Sequence, residues 1–227
     1  MLVRNWMSTP AITIDVNASM QEAVGLLKQR GIRMLPVMEH NLLVGVVTDG
    51  DLKKASASEV VSFEVHELLE LIARIKVKTV MTPDPVTVAP DSTIEETAAL
   101  MFVHNISGVP VVDHAENLVG VITKTDLFKV IFSLAGFSKK GVQFAFKVID
   151  RPGAIKDITD ILRDNGGRIA SVLSMPSKTE KGFLCVYVRA YGFDAASRQR
   201  VKKVIIDKTP PLYIVDHEEN TRTIYES

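Results

Sequence analysis

The run Leu43-Val44-Gly45-Val46-Val47-Thr48-Asp49-Gly50-Asp51-Leu52-Lys53-Lys54 recurs as Leu118-Val119-Gly120-Val121-Ile122-Thr123-Lys124-Thr125-Asp126-Leu127-Phe128-Lys129, with eight of twelve positions identical at an offset of 75. Upstream the offset is 74: Met7 matches Met81, Thr13 matches Thr87, Glu22 matches Glu96, Ile32 matches Ile106, and Pro36-Val37 matches Pro110-Val111. The change of offset predicts one inserted residue near 114–117, where a turn tolerates it. A duplicated unit therefore organises the first two thirds of the 227-residue chain.

Each copy reads the same way. A β-branched stretch (Ile12-Thr13-Ile14; Val86-Thr87-Val88) leads to a helix with apolar residues at helical spacing (Ala23, Leu26, Leu27; Ile94, Ala98, Met101). Ser19 and Ser92 or Thr93 are the cap candidates. Strands follow at 35–38 and 43–48, and at 109–113 and 118–123; a second helix starts near Asp49 or Lys124. A β-α-β-β-α unit of roughly 55 residues is marginal alone, so the copies are expected to pack together. The boundaries read as 1–57 for the first copy, an amphipathic helical connector over 58–76, and 77–135 for the second copy.

The 27 Lys and Arg balance 27 Asp and Glu, which gives no overall electrostatic footprint for nucleic acid or an anionic membrane. Residues 1–135 carry 16 acidic against 11 basic side chains and residues 136–227 carry the reverse, so the two parts are expected either to have different jobs or to face each other. Cys185 is the only cysteine and sits in an alternating strand-like run, the place of a structural thiol. No apolar stretch reaches the ~20 residues a membrane span requires, and the first residues lack an apolar signal core. The expectation is a cytoplasmic protein.

Thr48 with Asp51, and Thr123 with Asp126, place a hydroxyl and a carboxylate three residues apart where a strand gives way to a helix. A carboxylate there accepts two hydrogen bonds from a vicinal diol, and helix N-terminal N–H groups favour an anion, the two needs of a ribose phosphate. Thr and Asp at a helix start are also ordinary caps, and both readings stand at this level.

The two segments, each preceded by Ile-Arg-Met-Leu-Pro-Val or Ile-Ser-Gly-Val-Pro-Val, resemble the cystathionine-β-synthase (CBS) domain, here as a tandem pair over residues 1–135. The resemblance implies a pseudo-twofold module whose cleft takes an adenosine-containing ligand: AMP, ADP or ATP first, S-adenosylmethionine second. It assigns the ribose hydroxyls to Asp51 and Asp126 and the phosphate or ribose to Thr48 and Thr123, with Thr125 beside them. Thr13 and Thr87, together with Ile32-Arg33-Met34-Leu35-Pro36 and Ile106-Ser107-Gly108-Val109-Pro110, would frame the adenine. Arg33 stands where a basic phosphate contact is common in such pairs, whereas its counterpart is Ser107, so the two clefts are expected to differ. Arg33 reads equally as a surface arginine.

Beyond a linker at 136–141 the pattern changes. Val142, Phe144, Phe146 and Val148 alternate with polar or small residues as a half-buried strand, and Pro152-Gly153 turns into a helix carrying Ile155, Ile158, Ile161 and Leu162. Asn165-Gly166-Gly167 ends it. Strand-like runs at 169–174 and 182–191, a helix near 195–206 and a strand at 212–216 complete β-α-β-β-α-β, a ferredoxin-like order; 218–227 reads as a tail. The start of this region, Phe146 to Ile155, resembles an ACT domain over 142–217. The resemblance implies dimerisation or amino-acid sensing, with Asp150, Gly153, Ala154, Ile155 and Asn165 as candidate ligand residues; the turn itself also demands Pro and Gly. The basic run Arg198-Gln199-Arg200-Val201-Lys202-Lys203 lacks interleaved aromatics and reads as a solvated helix face.

No phosphate-binding Gly-rich loop, Gly-x-Ser-x-Gly elbow, His-Glu-x-x-His or paired Cys-x-x-Cys is present, and the five histidines are scattered. No catalytic residue, required cofactor or metal is expected. Together the pair and the ACT-like region resemble the bacterial acetoin-utilisation B-type proteins. The fold class is α+β, and the function implied is a non-catalytic, homodimeric nucleotide sensor acting on an unknown target protein, without nucleic acid or membrane. A scaffold without nucleotide dependence, a nucleotide-processing enzyme and a DNA-binding regulator are the other classes.

Overall fold

The computed structural model describes residues 1–59 and 74–225, the side chains of 56–59 excepted. The connector expected over 58–76 therefore lies mostly outside the described residues. The chain divides into two compact units, Met1–Phe128 and Lys129–Ser227.

In the first unit, β1 (Ile14–Asp15), α1 (Met20–Arg30), β2 (Met34–Glu39), β3 (Leu42–Thr48) and α2 (Asp49–Glu59) form the first copy. After α3 (Val77–Val80) and β4 (Thr82–Pro83), the second copy has α4 (Ile94–Val103), β5 (Gly108–Val112), β6 (Leu118–Thr123) and the start of α5 (Lys124–Leu134), a helix that continues past Phe128 into the second unit. The strand expected at 86–88 is reduced to a single parallel bridge, Val88 to Val111. Pro85 and Pro90 bracket it, and a residue without an N–H cannot extend the ladder. The inserted residue falls in the hairpin turn. His40-Asn41 closes the first hairpin with both residues at positive φ, while the second needs the longer turn from Asp113 to Asn117, where Asp113 Oδ1 accepts from the N–H of Ala115 and Asn117.

Both first helices open with a reciprocal cap. Glu22 N–H donates to Ser19 Oγ (3.2 Å) while Ser19 N–H donates to Glu22 Oε2 (2.6 Å); Thr93 and Glu96 repeat this at 3.1 and 2.7 Å. The N–H and then the hydroxyl of the cap residue hold both glutamates below the usual carboxylate range.

The copies are joined by exchanged segments. Strand β4, which precedes the second copy, pairs with β3 of the first, Gly45 opposite Pro83, and Val77 N–H donates to Ala18 O (2.9 Å). The chain's first residues do the reverse: Ser8 bridges Val121 and Val3 N–H donates to Ser92 O (2.9 Å). Glycine makes both approaches possible. A Cβ on Gly45 would lie 2.7 Å from Met81 Sδ and 2.9 Å from Thr82 O, and one on Gly120 would lie 2.8 Å from both Met7 Sδ and Ser8 O. Val77 is buried in the first copy's core with Met20, Leu27, Leu35, Val37 and Val47.

The second unit runs β7 (Val142–Ile149), α6 (Ala154–Asp164), β8 (Arg168–Pro176), β9 (Phe183–Tyr191), α7 (Ala195–Lys208), β10 (Tyr213–Asp216) and β11 (Thr221–Ile224). The sheet is antiparallel in the order β11-β10-β7-β9-β8. Phe144, Phe146, Val186 and Val188 bury one face against Ile158, Leu162, Val201 and Ile205 of the helices. Two segments carry more structure than the sequence announced. The tail forms β11, because the Asp216 carboxylate accepts from the N–H groups of Glu218 and Glu219 and turns the chain back onto β10. The linker is tied at both ends: Ala135, just before it, accepts through its O from Ser171 Oγ and Arg189 Nε, both at 3.0 Å, and Gly141 O accepts from His217 N–H.

Gly120→Ala is expected to cost about 1–3 kcal/mol, the scale of overpacking, read from denaturant midpoints. Gly25→Ala, in α1 with nothing within 4 Å of the new methyl, should instead leave stability unchanged or raise it. Because Glu22 and Glu96 have depressed folded pKa values, their stabilisation is present above the unfolded carboxylate range and is lost as pH falls through the folded values. Scanning calorimetry should show the melting temperature falling on acidification, less steeply in the double variant Glu22→Gln/Glu96→Gln.

Candidate functional site

Strand β3 runs into α2 without a loop, Thr48 ending the strand and Asp49 starting the helix, which makes Thr48 the cap and Asp51 the third helical residue. Asp51 Oδ2 accepts from Thr48 N–H (2.9 Å) and Thr48 Oγ1 (2.6 Å), and Asp51 N–H donates to Thr48 Oγ1 (3.3 Å). The junction of β6 and α5 repeats the arrangement with Thr123 and Asp126 at 3.0, 2.7 and 3.4 Å. The capping role is thus real in both copies. It uses one carboxylate oxygen of Asp51 and leaves Oδ1 without a hydrogen-bond partner among the described residues.

Strand pairing brings the other candidates to the same end. Met34 lies opposite Thr48 and Gly108 opposite Thr123. Asp49 N–H donates to Arg33 O (3.1 Å) and Lys124 N–H to Ser107 O (2.9 Å), so Ile32–Pro36 and Ile106–Pro110 border their own Thr–Asp junctions. Thr13 and Thr87 are exposed and directly precede Ile14 and Val88, which pair with Val37 and Val111. Thr125 is exposed in the first turn of α5. The two ends meet: a Cβ on Gly108 would lie 3.3 Å from Met34 Cε. They are unequal, since Asp126 is 4% exposed while Asp51 is half-buried, and exposed Arg33 faces exposed Ser107 across the repeat correspondence. This meeting of Met34 with Gly108 had no local signal; only the repeat offset, applied to the exchanged segments, could have suggested it.

In the second unit Asp150 is exposed, its N–H donating to Gly182 O (2.8 Å), and Gly153 takes a left-handed conformation (φ 88°) as the cap of α6. Ala154 is buried and Ile155 packs on the core. Asn165 is not brought to them: it lies at the other end of α6, an 11-residue helix about 16 Å long, where its side-chain amide donates to Ile161 O (2.8 Å). The basic run is only partly solvated. Lys202 Nζ lies 2.7 Å from the buried Asp216 and 2.9 Å from Glu219, and Arg198 pairs with Glu218. Burial opposes the charge on Asp216, but Lys202 and two backbone N–H groups outweigh it and hold its carboxyl below the usual range.

Over 134 residues the chain is 33% identical to a CBS domain-containing protein of Dictyostelium discoideum, covering 59% of this chain and 92% of that one. The CBS domain profile itself matches residues 3–58 and 77–133. The chain belongs to the CBS domain family. Its CBS pair is similar to that of protein MJ0100, solved in complex with 5′-methylthioadenosine and S-adenosyl-L-methionine (32% identity, 58% of this chain, 95% of that chain, TM-score 0.50). It is also similar to AcuB, a Vibrio cholerae protein named for acetoin utilization (27% identity, 61% and 95% coverage, TM-score 0.51). The L-aspartate semialdehyde sulfurtransferase of Methanocaldococcus jannaschii is 34% identical over 130 residues, but that match spans only 23% of the enzyme. No helix among the described residues is long and apolar enough to cross a membrane.

Thr48→Val and Thr123→Val should each lower the stability of the CBS pair by about 1 kcal/mol through loss of the cap, measured by urea unfolding, with Ser at either position restoring most of it.

Proposed function

We propose that this protein is a regulatory sensor whose CBS pair binds an adenosine-containing ligand, with Asp51 and Asp126 holding ribose hydroxyls and Arg33 a phosphate. One observation carries the reading: strand pairing and the Met34–Gly108 approach bring the Thr–Asp junctions and the strand starts of both copies to ends that face each other. The likeness to the MJ0100 pair supports the adenosine class. Exposed Arg33, and a half-buried Asp51 with one uncommitted oxygen, favour the first copy for the charged part of the ligand; buried Asp126 suits a less charged one. AMP, ADP and ATP lead on the strength of Arg33, and S-adenosyl-L-methionine follows.

The second unit is read as a ferredoxin-like, ACT-type regulatory domain. Its strand order β10-β7-β9-β8 around two helices on one face supports this, as does the tight turn at Asp150–Ile155. Ligand closure of the pair, by differential affinity for two arrangements, is the signal passed to the second unit or to a target protein. Helix α5 exposes Phe128, Ile131 and Phe132 at helical spacing, which supports a homodimer. A role in acetoin utilization rests on the likeness to AcuB.

Calorimetric titration of the nucleotide-stripped full chain with AMP, ADP, ATP, adenosine, 5′-methylthioadenosine and S-adenosyl-L-methionine tests the reading. Saturable binding of at least one ligand is expected, weakened about tenfold or more by Asp51→Asn or Asp126→Asn, which keep a cap acceptor but remove the charge. Absence of binding by all six, with an intact melting transition, overturns it in favour of a scaffold.

A further inference from the structure

The helix-free face of the second unit's sheet carries a cleft of about 350 Å³ lined by Gln143, Tyr213, Val215, His217, Arg222 and Ile224. That volume falls at the lower end of small-ligand sites. None of these residues belongs to the CBS pair or to the turn at Asp150–Ile155.

Beside this cleft a buried arginine sets the orientation of two of its polar groups. Arg189, 5% exposed, donates from Nη2 to Gln143 Oε1 (2.8 Å) and from Nε to Ala135 O (3.0 Å), and its guanidinium stacks over the Phe137 ring. With its oxygen committed, the Gln143 amide presents its NH2 to Tyr213 Oη (3.4 Å). The phenol accepts there, so its own proton is turned toward another acceptor. Arg222 makes no side-chain hydrogen bond or ion pair among the described residues, and His217 Nε2 is buried without a partner. No carboxylate lines the cleft. Asp216, next to His217 in the chain, points to the opposite face and is held by Lys202. Buried Arg189 likewise has only neutral partners, an uncompensated positive charge beside a set of donors.

The geometry points to a small aliphatic carboxylate as the ligand of this cleft, its oxygens held by Arg222 and the Tyr213 hydroxyl and its chain against Val215 and Ile224. A guanidinium binds a carboxylate through two parallel N–H groups, and Val215 and Ile224 offer an alkyl chain the apolar contact that an inorganic anion does not use. An α-amino acid fits less well, because its ammonium finds no acid in the lining. Four groups set the state of His217: Arg189 on β9, Asp216 beside it, Arg222 on β11, and the Phe137 ring, whose edge contact with the imidazole spans 6.0 Å between centroids. Burial, then Arg189, lower its pKa, and Arg222 adds to this against the opposing Asp216. An anion in the cleft offsets the two arginines, so the histidine takes up a proton more readily when the ligand is bound.

Titration of the full chain with butyrate, glycine and inorganic phosphate, followed by calorimetry and by NMR of the histidine rings, tests this assignment. Saturable binding of butyrate at millimolar concentration is expected, with a raised His217 pKa, a loss of about tenfold or more in Tyr213→Phe or Arg222→Met, and no change in Asp51→Asn. That last arm separates this site from the nucleotide reading, since each can fail while the other stands. Three results would overturn it: butyrate leaving the His217 ring unchanged in the wild-type protein, phosphate or glycine binding more tightly than butyrate, or folded Tyr213→Phe and Arg222→Met binding as the wild type does.

Discussion

A methionine side chain and a backbone carbonyl fill the space a Cβ would need on Gly45, and the same pair of groups fills it on Gly120. Through these two contacts the segment ahead of each copy completes the other copy's sheet. The approach of one copy's junction to the other's follows from that constraint. The exchanged segments fix one copy against the other, which sets Met34 against Gly108 and aligns two strand-to-helix junctions that would otherwise belong to separate small folds. Val77, buried in the first copy's core, and Val80 and Met81, packed against it, come from beyond the first copy's own stretch of chain.

At each junction one carboxylate caps a helix, and the proposed function gives it a ligand to hold as well. Asp51 and Asp126 satisfy the N–H and hydroxyl of the preceding Thr, which closes the start of a helix and holds the side chain in one rotamer. A group held in this way meets a ligand already oriented, with little conformational entropy left to lose. In the proposed reading, structural capping and ligand recognition are one arrangement, the cap holding the carboxylate where the ribose would meet it.

The duplicated twelve-residue run, with its capping residues and helical spacing, made the layout of both copies legible before any coordinates, because each feature is local. The Thr–Asp spacing of three was readable for the same reason. What escaped the sequence depends on distant partners. Residues 1–9 adjoin the first copy in the chain yet pair with the second, and no periodicity reports this. The tail became β11 through a buried Asp216 that reads as an ordinary acid at the end of a strand. The donor chain from Arg189 through Gln143 to Tyr213 joins three strands and 70 residues of sequence, beyond the reach of any motif. Asn165 reads as a candidate ligand residue, whereas its amide closes the end of its own helix.

The exchange of segments also sets what can be inherited or transplanted. A single copy cut from this chain would carry the edge that its neighbour needs and lack the one it needs itself. Half of the pair is thus not a smaller version of the whole but an open sheet with a surplus strap. The portable unit is the double copy, whose sheets are completed within its own length, and it is in that form that such a module could be appended to an unrelated protein without asking its host for a strand.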